Sequence, residues 1–151
     1  MNSQSDPNQT AIITVGSTSF DQLIQSTLTI PSLNSFIKSH ITSLIIQHGT
    51  TPPTIPFHLI SSNQPNQYSY TSTLQVTFYD FIQTIDHLLY TSKLVISHAG
   101  SGSILASLGL NFNLYQRHLI FIPNHTLMDS HQSDLIEEIS KNNLGQTCEL
   151  K

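Results

Sequence analysis

Residues 94–105 read LVISHAGSGSIL, and this stretch decides the fold. An apolar run comes first, a histidine and two glycines among serines follow, and apolar residues then resume. This order is typical of a buried strand that enters a helix through a glycine-rich turn. Residues 11–19, AIITVGSTS, have the same arrangement, because an apolar run stops at Gly16 and residues suited to a helix N-cap follow it. The sequence therefore predicts two strand–turn–helix units.

The rest of the chain alternates between strand and helix patterns. Apolar runs rich in β-branched and aromatic residues predict strands at 43–47, 57–60, 74–78, 118–122 and 146–150. Apolar residues at helical spacing predict helices that begin near positions 20, 31, 81 and 104, and a last helix with an apolar face that begins at Leu135. This alternation predicts an α/β fold with a mainly parallel sheet and helices on both faces. We expect one domain, residues 11–151, after a frayed segment 1–10, and a loop across the polar residues 61–72.

The composition excludes several classes of function. The 151 residues include five Lys and Arg and nine Asp and Glu, which gives a net charge of −4. Five scattered cations cannot form a basic patch, so we expect no binding to nucleic acid. The single cysteine, Cys148, excludes an intramolecular disulfide and a cysteine-based zinc site. The apolar runs are much shorter than the roughly 20 residues of a membrane span, so we expect a cytosolic domain.

The two glycine-rich turns have the chemistry of an anion site. Both follow parallel strands, so both belong to the carboxyl edge of the sheet, where α/β folds bind ligands. Glycine lets backbone N–H groups approach a ligand, and a helix start adds unpaired donors. With so few cations, a bound diphosphate would be held by backbone amides and by the hydroxyls of Ser17, Thr18, Ser101 and Ser103. A tight turn with a purely structural role stays open, because the dinucleotide, P-loop and nucleophile-elbow patterns all fail to match.

A second group at the same edge is LMDSHQ, residues 127–132. Asp129 or Ser130 could act simply as the N-cap of the last helix. His131 and Gln132 would then lie in its first turn and face the same crevice, and imidazole and amide groups suit sugar hydroxyls. The eight histidines include no HExxH motif and no i,i+4 helical pair, so we predict no metal site.

Three motifs carry a resemblance to a known family: IITVGSTSFDQLI at 12–24, LVISHAGSGSIL and LMDSHQ. Together they resemble the catalytic subunits of the eukaryotic two-subunit UDP-N-acetylglucosamine transferases, which add the second N-acetylglucosamine (GlcNAc) to dolichol-diphosphate-GlcNAc in N-glycan precursor assembly. More distantly, the chain resembles the donor-binding half of the bacterial peptidoglycan-precursor N-acetylglucosaminyltransferases. The resemblance covers residues 11–145 and is weakest across 50–73. It implies a Rossmann-like domain of the GT-B carboxyl-terminal type that binds UDP-GlcNAc.

The resemblance also implies roles for single residues. The first turn would face the diphosphate through Gly16, Ser17 and Thr18. The second turn would lie near the phosphates and ribose, with its histidine as the candidate catalytic residue, through His98, Gly100, Ser101, Gly102 and Ser103. The last motif would read the donor sugar through Asp129, His131 and Gln132. Ser107 could bond a ribose hydroxyl in a region where the family often has an acidic residue, and the connection 111–118 is longer than is usual in the family.

With this donor, we expect an inverting transferase that needs no cofactor, and no metal at the diphosphate because the sequence has no DxD-like motif. A membrane-anchored partner subunit would complete a heterodimer, supply the acceptor site and recruit this chain to the cytosolic face of the endoplasmic reticulum. We expect the chain alone to be inactive. The alternative is a non-catalytic nucleotide-sugar-binding or regulatory subunit, which the missing acidic residue near Ser107 favours.

Overall fold

The computed structural model of the chain describes residues 6–98, 118–125 and 130–150, with only the backbone described at 8 and 130–133. The described strands are β1 (Thr10–Thr14), β2 (Ser43–Gln47), β3 (Ile60–Ser61), β4 (Gln67–Ser69), β5 (Gln75–Tyr79), β6 (Leu94–Ser97), β7 (His118–Phe121) and β8 (Gln146–Thr147). The described helices are α1 (Asp21–Thr27), α2 (Ile30–Lys38), α3 (Ile85–Thr91) and α4 (Ser130–Lys141). A 3₁₀ turn, Pro7–Gln9, precedes β1.

The strands form one sheet in the order β3-β4-β5-β2-β1-β6-β7-β8. The pairs from β5 to β8 are all parallel, whereas β3 and β4 form an antiparallel hairpin on the edge beside β5. Strand β1 pairs with β2 on one side and with β6 on the other. The strand order therefore reverses between β1 and β6, and in open α/β sheets ligands bind beyond the carboxyl ends of the strands at such a switch point.

Helices cover both faces of the sheet. All five residues of β1 are buried, as expected of a central parallel strand with helices on both sides. Ala11 and Ile13 pack into the core that holds the apolar residues of α1 and α2. Ile12 points to the other face, into the core with Leu89 of α3 and Ile139 of α4. The predicted α/β fold, with a mainly parallel sheet between two layers of helices, is confirmed.

Local sequence signals set the ends of α2. The Thr29 hydroxyl accepts a hydrogen bond from the Ser32 N–H at 3.4 Å, and proline occupies the first turn, which is the usual chemistry of a helix start. At the other end His40 adopts φ 62°, and the Ile41 N–H donates to the Phe36 carbonyl at 3.0 Å. This bond closes the helix in the manner of a Schellman motif.

Three predicted elements are wrong. The strand predicted at 57–60 is mostly turn, since Phe57 is 94% exposed and only Ile60 joins β3. The polar stretch 61–72, predicted as loop, contains β4, because the backbone of an edge hairpin can pair whatever its side chains are. The helix predicted from position 81 begins at Ile85. Phe81 is 68% exposed, and its N–H is held by the Asp80 carboxylate at 2.7 Å in the preceding loop.

Strands β1, β2, β5, β6 and β7 lie where the apolar runs predict them, and β2 has the predicted bounds. The last strand, β8, covers only the first two of the five residues predicted for it. The helix predicted from position 104 lies outside the described residues. None of the helices in the described parts of the chain has the length and apolarity that crossing a bilayer requires.

Candidate functional site

The first glycine-rich turn leaves β1 at the switch point. Gly16 has φ 65°, a left-handed conformation that glycine adopts without strain. A Cβ atom built at this position would be 2.8 Å from His98 Cε1 and 3.3 Å from His98 Nε2. The imidazole of the second turn therefore lies in the space that glycine leaves open. The first turn and His98, which the sequence placed at one edge, meet there.

The side-chain amide of Gln47, at the end of β2, holds this turn from below. Its oxygen accepts hydrogen bonds from the Thr14 hydroxyl at 2.5 Å and from the Gly16 N–H at 3.0 Å. Its nitrogen donates to the Gly16 carbonyl at 2.7 Å and to the Asp80 carbonyl at 2.8 Å. The residue is only 2% exposed. All four hydrogen-bonding positions of the carboxamide are thus occupied by protein groups.

A second glycine supports the turn from its other side. Gly49 has φ 74°, and a Cβ atom there would be 1.8 Å from the Thr18 carbonyl oxygen. The Thr50 N–H donates to that same carbonyl at 3.4 Å, and the Thr18 hydroxyl donates to the Val15 carbonyl at 2.9 Å. The proton of the Thr18 hydroxyl is therefore used inside the turn. The backbone N–H groups of Ser17 and Thr18 have no hydrogen-bond partner within the described residues.

His98 is largely buried beneath the Gly16 turn. Its backbone N–H continues the sheet by donating to the Thr14 carbonyl at 3.2 Å. Burial lowers the pKa of the imidazole, and the nearby Thr14 carbonyl raises it by a smaller amount. The ring is therefore neutral at pH 7. In the described parts of the chain, no group forms a hydrogen bond of acceptable geometry with its buried Nδ1 or with the buried hydroxyl of Ser97 beside it.

The described cations lie at the opposite, amino edge of the sheet. Lys38 ends α2 and Lys141 ends α4, and both helices run back from the carboxyl edge. Lys93 precedes β6, and its ammonium donates to the Ser39 carbonyl at 2.9 Å. Among the described residues, the switch point therefore offers an anion backbone donors and no lysine or arginine side chain. No group of three or more His, Cys, Asp or Glu side chains in those residues is placed to hold a metal ion.

Two clefts lie along β2 and β5, and the larger one is not at the edge that carries the Gly16 turn. One of about 570 Å³, lined largely by hydroxyl side chains, lies at the amino ends of β2 and β5. Another of about 400 Å³ lies at the carboxyl ends of the same strands and includes Gly49 and Asp80. The candidate site is taken at the carboxyl edge although the larger cleft lies elsewhere, because that edge has the switch point and the turn amides that are unpaired within the described residues.

The predicted site residues fall into three groups. Gly16, Ser17, Thr18 and His98 are described and lie together at the switch point. His131 and Gln132 lie in the first turn of α4, where the sequence placed them. The others lie outside the described residues: Gly100, Ser101, Gly102, Ser103, Ser107 and Asp129.

Two residues of this edge escaped the sequence analysis. Gln47 was predicted only as the last residue of the strand 43–47. Gly49 was predicted only as a residue of the turn that ends this strand. The available signal was Gln47 itself, an amide residue at the end of an apolar strand and directly before the pair His48 and Gly49. A polar residue in that position is buried with the strand, so it needs hydrogen-bond partners at the edge where the strand ends.

The chain is similar to known glycosyltransferases in sequence. Residues 10–150 match the Glycosyltransferase family 28 C-terminal domain. The UDP-N-acetylglucosamine transferase subunit ALG13 of Mus musculus is 31% identical over 134 residues, which are 87% of this chain and 10% of that protein. The protein of the same name from Candida glabrata is 47% identical over 66 residues, which are 44% of this chain and 28% of that protein. The chain thus matches well under two thirds of the length of these relatives.

Solved structures agree with this grouping. An NMR solution structure of ALG13 superposes with a TM-score of 0.64 at 25% identity, covering 95% of this chain and 79% of that one. The crystal structure of the glycotransferase of kitacinnamycin has a TM-score of 0.56 at 12% identity, covering 95% of this chain and 30% of that one, and shows likeness of fold alone. The family match spans nearly the whole chain, and the Rossmann-like fold agrees with it; the chain therefore belongs to the glycosyltransferase family 28 C-terminal domain family, where it resembles the UDP-N-acetylglucosamine transferase subunits.

Proposed function

We propose that this chain is the donor-binding and catalytic subunit of a UDP-GlcNAc-dependent N-acetylglucosaminyltransferase. The observation that carries the proposal is the meeting of the Gly16 turn and His98 at the switch point between β1 and β6. Membership of a glycosyltransferase family and likeness to UDP-N-acetylglucosamine transferase subunits support UDP-GlcNAc as the donor.

The diphosphate of the donor lies against the Gly16 turn in this proposal. The N–H groups of Ser17 and Thr18, unpaired within the described residues, donate to its oxygens. The glycine turn at 100–103 adds further main-chain donors, and Ser107 bonds a ribose hydroxyl. Asp129, His131 and Gln132 bind the donor sugar. Support for this arrangement comes from the absence of cations among the described residues of this edge, since a diphosphate there needs backbone donors.

The proposed reaction is an inverting transfer. A hydroxyl of the acceptor attacks C1 of the sugar, the bond from C1 to the diphosphate oxygen breaks, and UDP leaves with the electron pair. Main-chain donors stabilise the charge that grows on the leaving diphosphate, an effect that reaches several kcal/mol in preorganised sites. His98, neutral because burial lowers its pKa, contributes a hydrogen bond near the phosphates rather than a positive charge. A group on the acceptor side of the enzyme acts as the general base and takes the proton of the acceptor hydroxyl.

The acceptor in this proposal is dolichol-diphosphate-GlcNAc, so the reaction is the second step of N-glycan precursor assembly. A polyprenyl acceptor requires a site at a membrane, and the relatives are named as subunits. A membrane-anchored partner therefore supplies the acceptor site, forms a heterodimer with this chain and holds it at the cytosolic face of the endoplasmic reticulum.

Reconstitution with the candidate membrane partner tests the proposal. GlcNAc transfer from UDP-GlcNAc to a dolichol-diphosphate-GlcNAc analogue is measured for each subunit alone and for the pair. We expect turnover only with the pair, and loss of turnover with Gly102→Val. Ser62→Ala, a small change in the hairpin at the far edge of the sheet, is the matched control and keeps wild-type turnover. Turnover by this chain alone would contradict the need for a partner.

The alternative is a non-catalytic nucleotide-sugar-binding or regulatory subunit. Ala106 and Ser107 occupy the region where the family often has an acidic residue, and this departure favours the alternative. UDP-GlcNAc binding without transfer by the reconstituted pair would support it. Failure of the chain and of the pair to bind UDP-GlcNAc would refute both functions.

A further inference from the structure

We propose that Gln47 is a positioning residue for the donor site: its carboxamide holds the Gly16 turn in the conformation that binds the nucleotide, so donor affinity depends on a side chain that does not touch the donor. The inference rests on the proposed function, because it concerns the same site. Gln47 is buried below the turn, and its four hydrogen bonds all go to protein groups.

One side-chain amide joins three parallel strands. Gln47 ends β2, its partners Thr14 and Gly16 lie at the end of β1, and Asp80 directly follows β5. The partners also fix which way the amide points. The amide oxygen faces the Gly16 N–H and the amide nitrogen faces two carbonyl oxygens, so a reversed amide would oppose donor to donor and acceptor to acceptor.

The turn has few other attachments to the sheet. The ladder between β1 and β2 continues one step past the strands, where the Val15 N–H donates to the Gln47 carbonyl at 3.3 Å. Beyond that point, Gln47 binds both the N–H and the carbonyl of Gly16. The Gly16 N–H also donates to the Thr14 hydroxyl at 3.1 Å, and the next contact is that of the Thr50 N–H with the Thr18 carbonyl at 3.4 Å. Loss of the carboxamide leaves the Gly16 carbonyl without a hydrogen-bond partner among the described residues, and it removes one of the two partners of the Gly16 N–H and of the Asp80 carbonyl. We expect the turn to move toward other partners and to carry the Ser17 and Thr18 amides with it.

Two substitutions remove the carboxamide in different ways. Gln47→Met keeps the length of the side chain and removes every hydrogen bond. Gln47→Glu keeps the shape but places an oxygen against the Gly16 and Asp80 carbonyls. Thr14→Val is a milder third variant, because it leaves the carboxamide in place. It removes the hydroxyl that donates to the Gln47 oxygen and accepts from the Gly16 N–H at 3.1 Å. All are made in the full 151-residue chain, with UDP as the probe.

Two controls separate positioning from general stability. Gln75→Glu makes the same chemical change at the start of β5, where the exposed Gln75 oxygen accepts from the Gln67 side chain at 3.1 Å. Leu33→Ala removes a fully buried side chain from α2 without touching the turn. The dissociation constant for UDP is measured calorimetrically at a temperature where circular dichroism shows each variant folded, and hydrogen exchange of the Gly16 amide is measured by NMR.

We expect Gln47→Met and Gln47→Glu to weaken UDP binding about 10- to 100-fold, the range expected when buried polar groups lose a partner. Thr14→Val weakens it less. Exchange of the Gly16 amide accelerates well beyond that of the β1 amides in all three variants. Gln75→Glu binds like the wild type, and Leu33→Ala lowers the unfolding temperature while its UDP affinity stays within about twofold of wild type, because additive effects are expected at distant sites.

Wild-type UDP affinity in Gln47→Met would overturn the inference, and so would a loss no larger than that of Leu33→Ala. If both Gln47 variants fail to fold, the comparison of Thr14→Val with Leu33→Ala decides by the same criterion. A wild-type chain that does not bind UDP would refute the proposed function instead. In that case hydrogen exchange of the Gly16 amide still tests the role of Gln47. Unchanged exchange in the Gln47 variants would show that the conformation of the turn does not depend on Gln47.

Discussion

Replacement of Gly16 by alanine tests the contact between the Gly16 turn and the imidazole of His98. At φ 65° the left-handed conformation costs an L-residue about 1–2 kcal/mol. The new methyl group would be 2.8 Å from His98 Cε1, closer than carbon atoms pack, so the imidazole must leave its preferred rotamer at a cost of about 0.5–1.5 kcal/mol. The two effects sum to a loss of about 1.5–3.5 kcal/mol in the free energy of unfolding.

Urea denaturation followed by far-ultraviolet circular dichroism measures this loss, and the slope with denaturant should not change. The same substitution in a His98→Ala background isolates the ring contact and should lose only about 1–2 kcal/mol. Asn143→Ala is the matched control for the backbone contribution, since Asn143 also has a positive φ, 52°, but is exposed after α4. Equal losses from Gly16→Ala in both backgrounds would show that the imidazole does not contact the turn, and would refute the assignment of the site.

Three further perturbations have defined outcomes. Gly49→Ala should lose more stability than Gly16→Ala in the same denaturation assay, because its methyl group would meet the Thr18 backbone carbonyl at 1.8 Å and not a movable ring. The lowered pKa of His98 contributes stability that is present above about pH 6.5 and is lost as the pH falls toward the folded-state value; urea titrations between pH 8 and pH 5 should show this loss, and His98→Asn should reduce it. Leu89→Ala, in the core beneath α3, should lose about 2–5 kcal/mol, and a loss below about 1 kcal/mol would contradict the packing of that face.

Local chemistry in the sequence was enough to predict most of the elements. The five residues of β1 are apolar or β-branched and stop at a glycine, and such a run is buried in almost any parallel sheet. Helix α2 is framed by its own threonine cap and proline. The same reasoning predicted that the turns at Gly16 and His98 share an edge. These signals depend on neighbours within a few residues, so they can be read without the fold.

The sequence-based predictions were wrong where strand pairing does not depend on the pattern of apolar residues. The strands β3 and β4 are mostly polar, and the hairpin they form exists because β5 offers an open edge to β4. The apolar residues Phe57 and Phe81 have the spacing of strand and helix core residues, yet both are exposed and lie outside the helices and strands. In each case the decisive partner is a backbone group elsewhere in the chain, which periodicity does not report.

What the sequence alone determined is therefore the α/β class, the positions of β1, β2 and β6, and the placing of Gly16 and His98 at one edge of the sheet. Only the tertiary structure decided that His98 fits against Gly16 and that Gln47 ties the turn to β5. The partners of Gln47 lie 31 and 33 positions away in the chain. A buried amide bonds whichever backbone groups the strand order brings beside it, and that order is a property of the whole packed sheet.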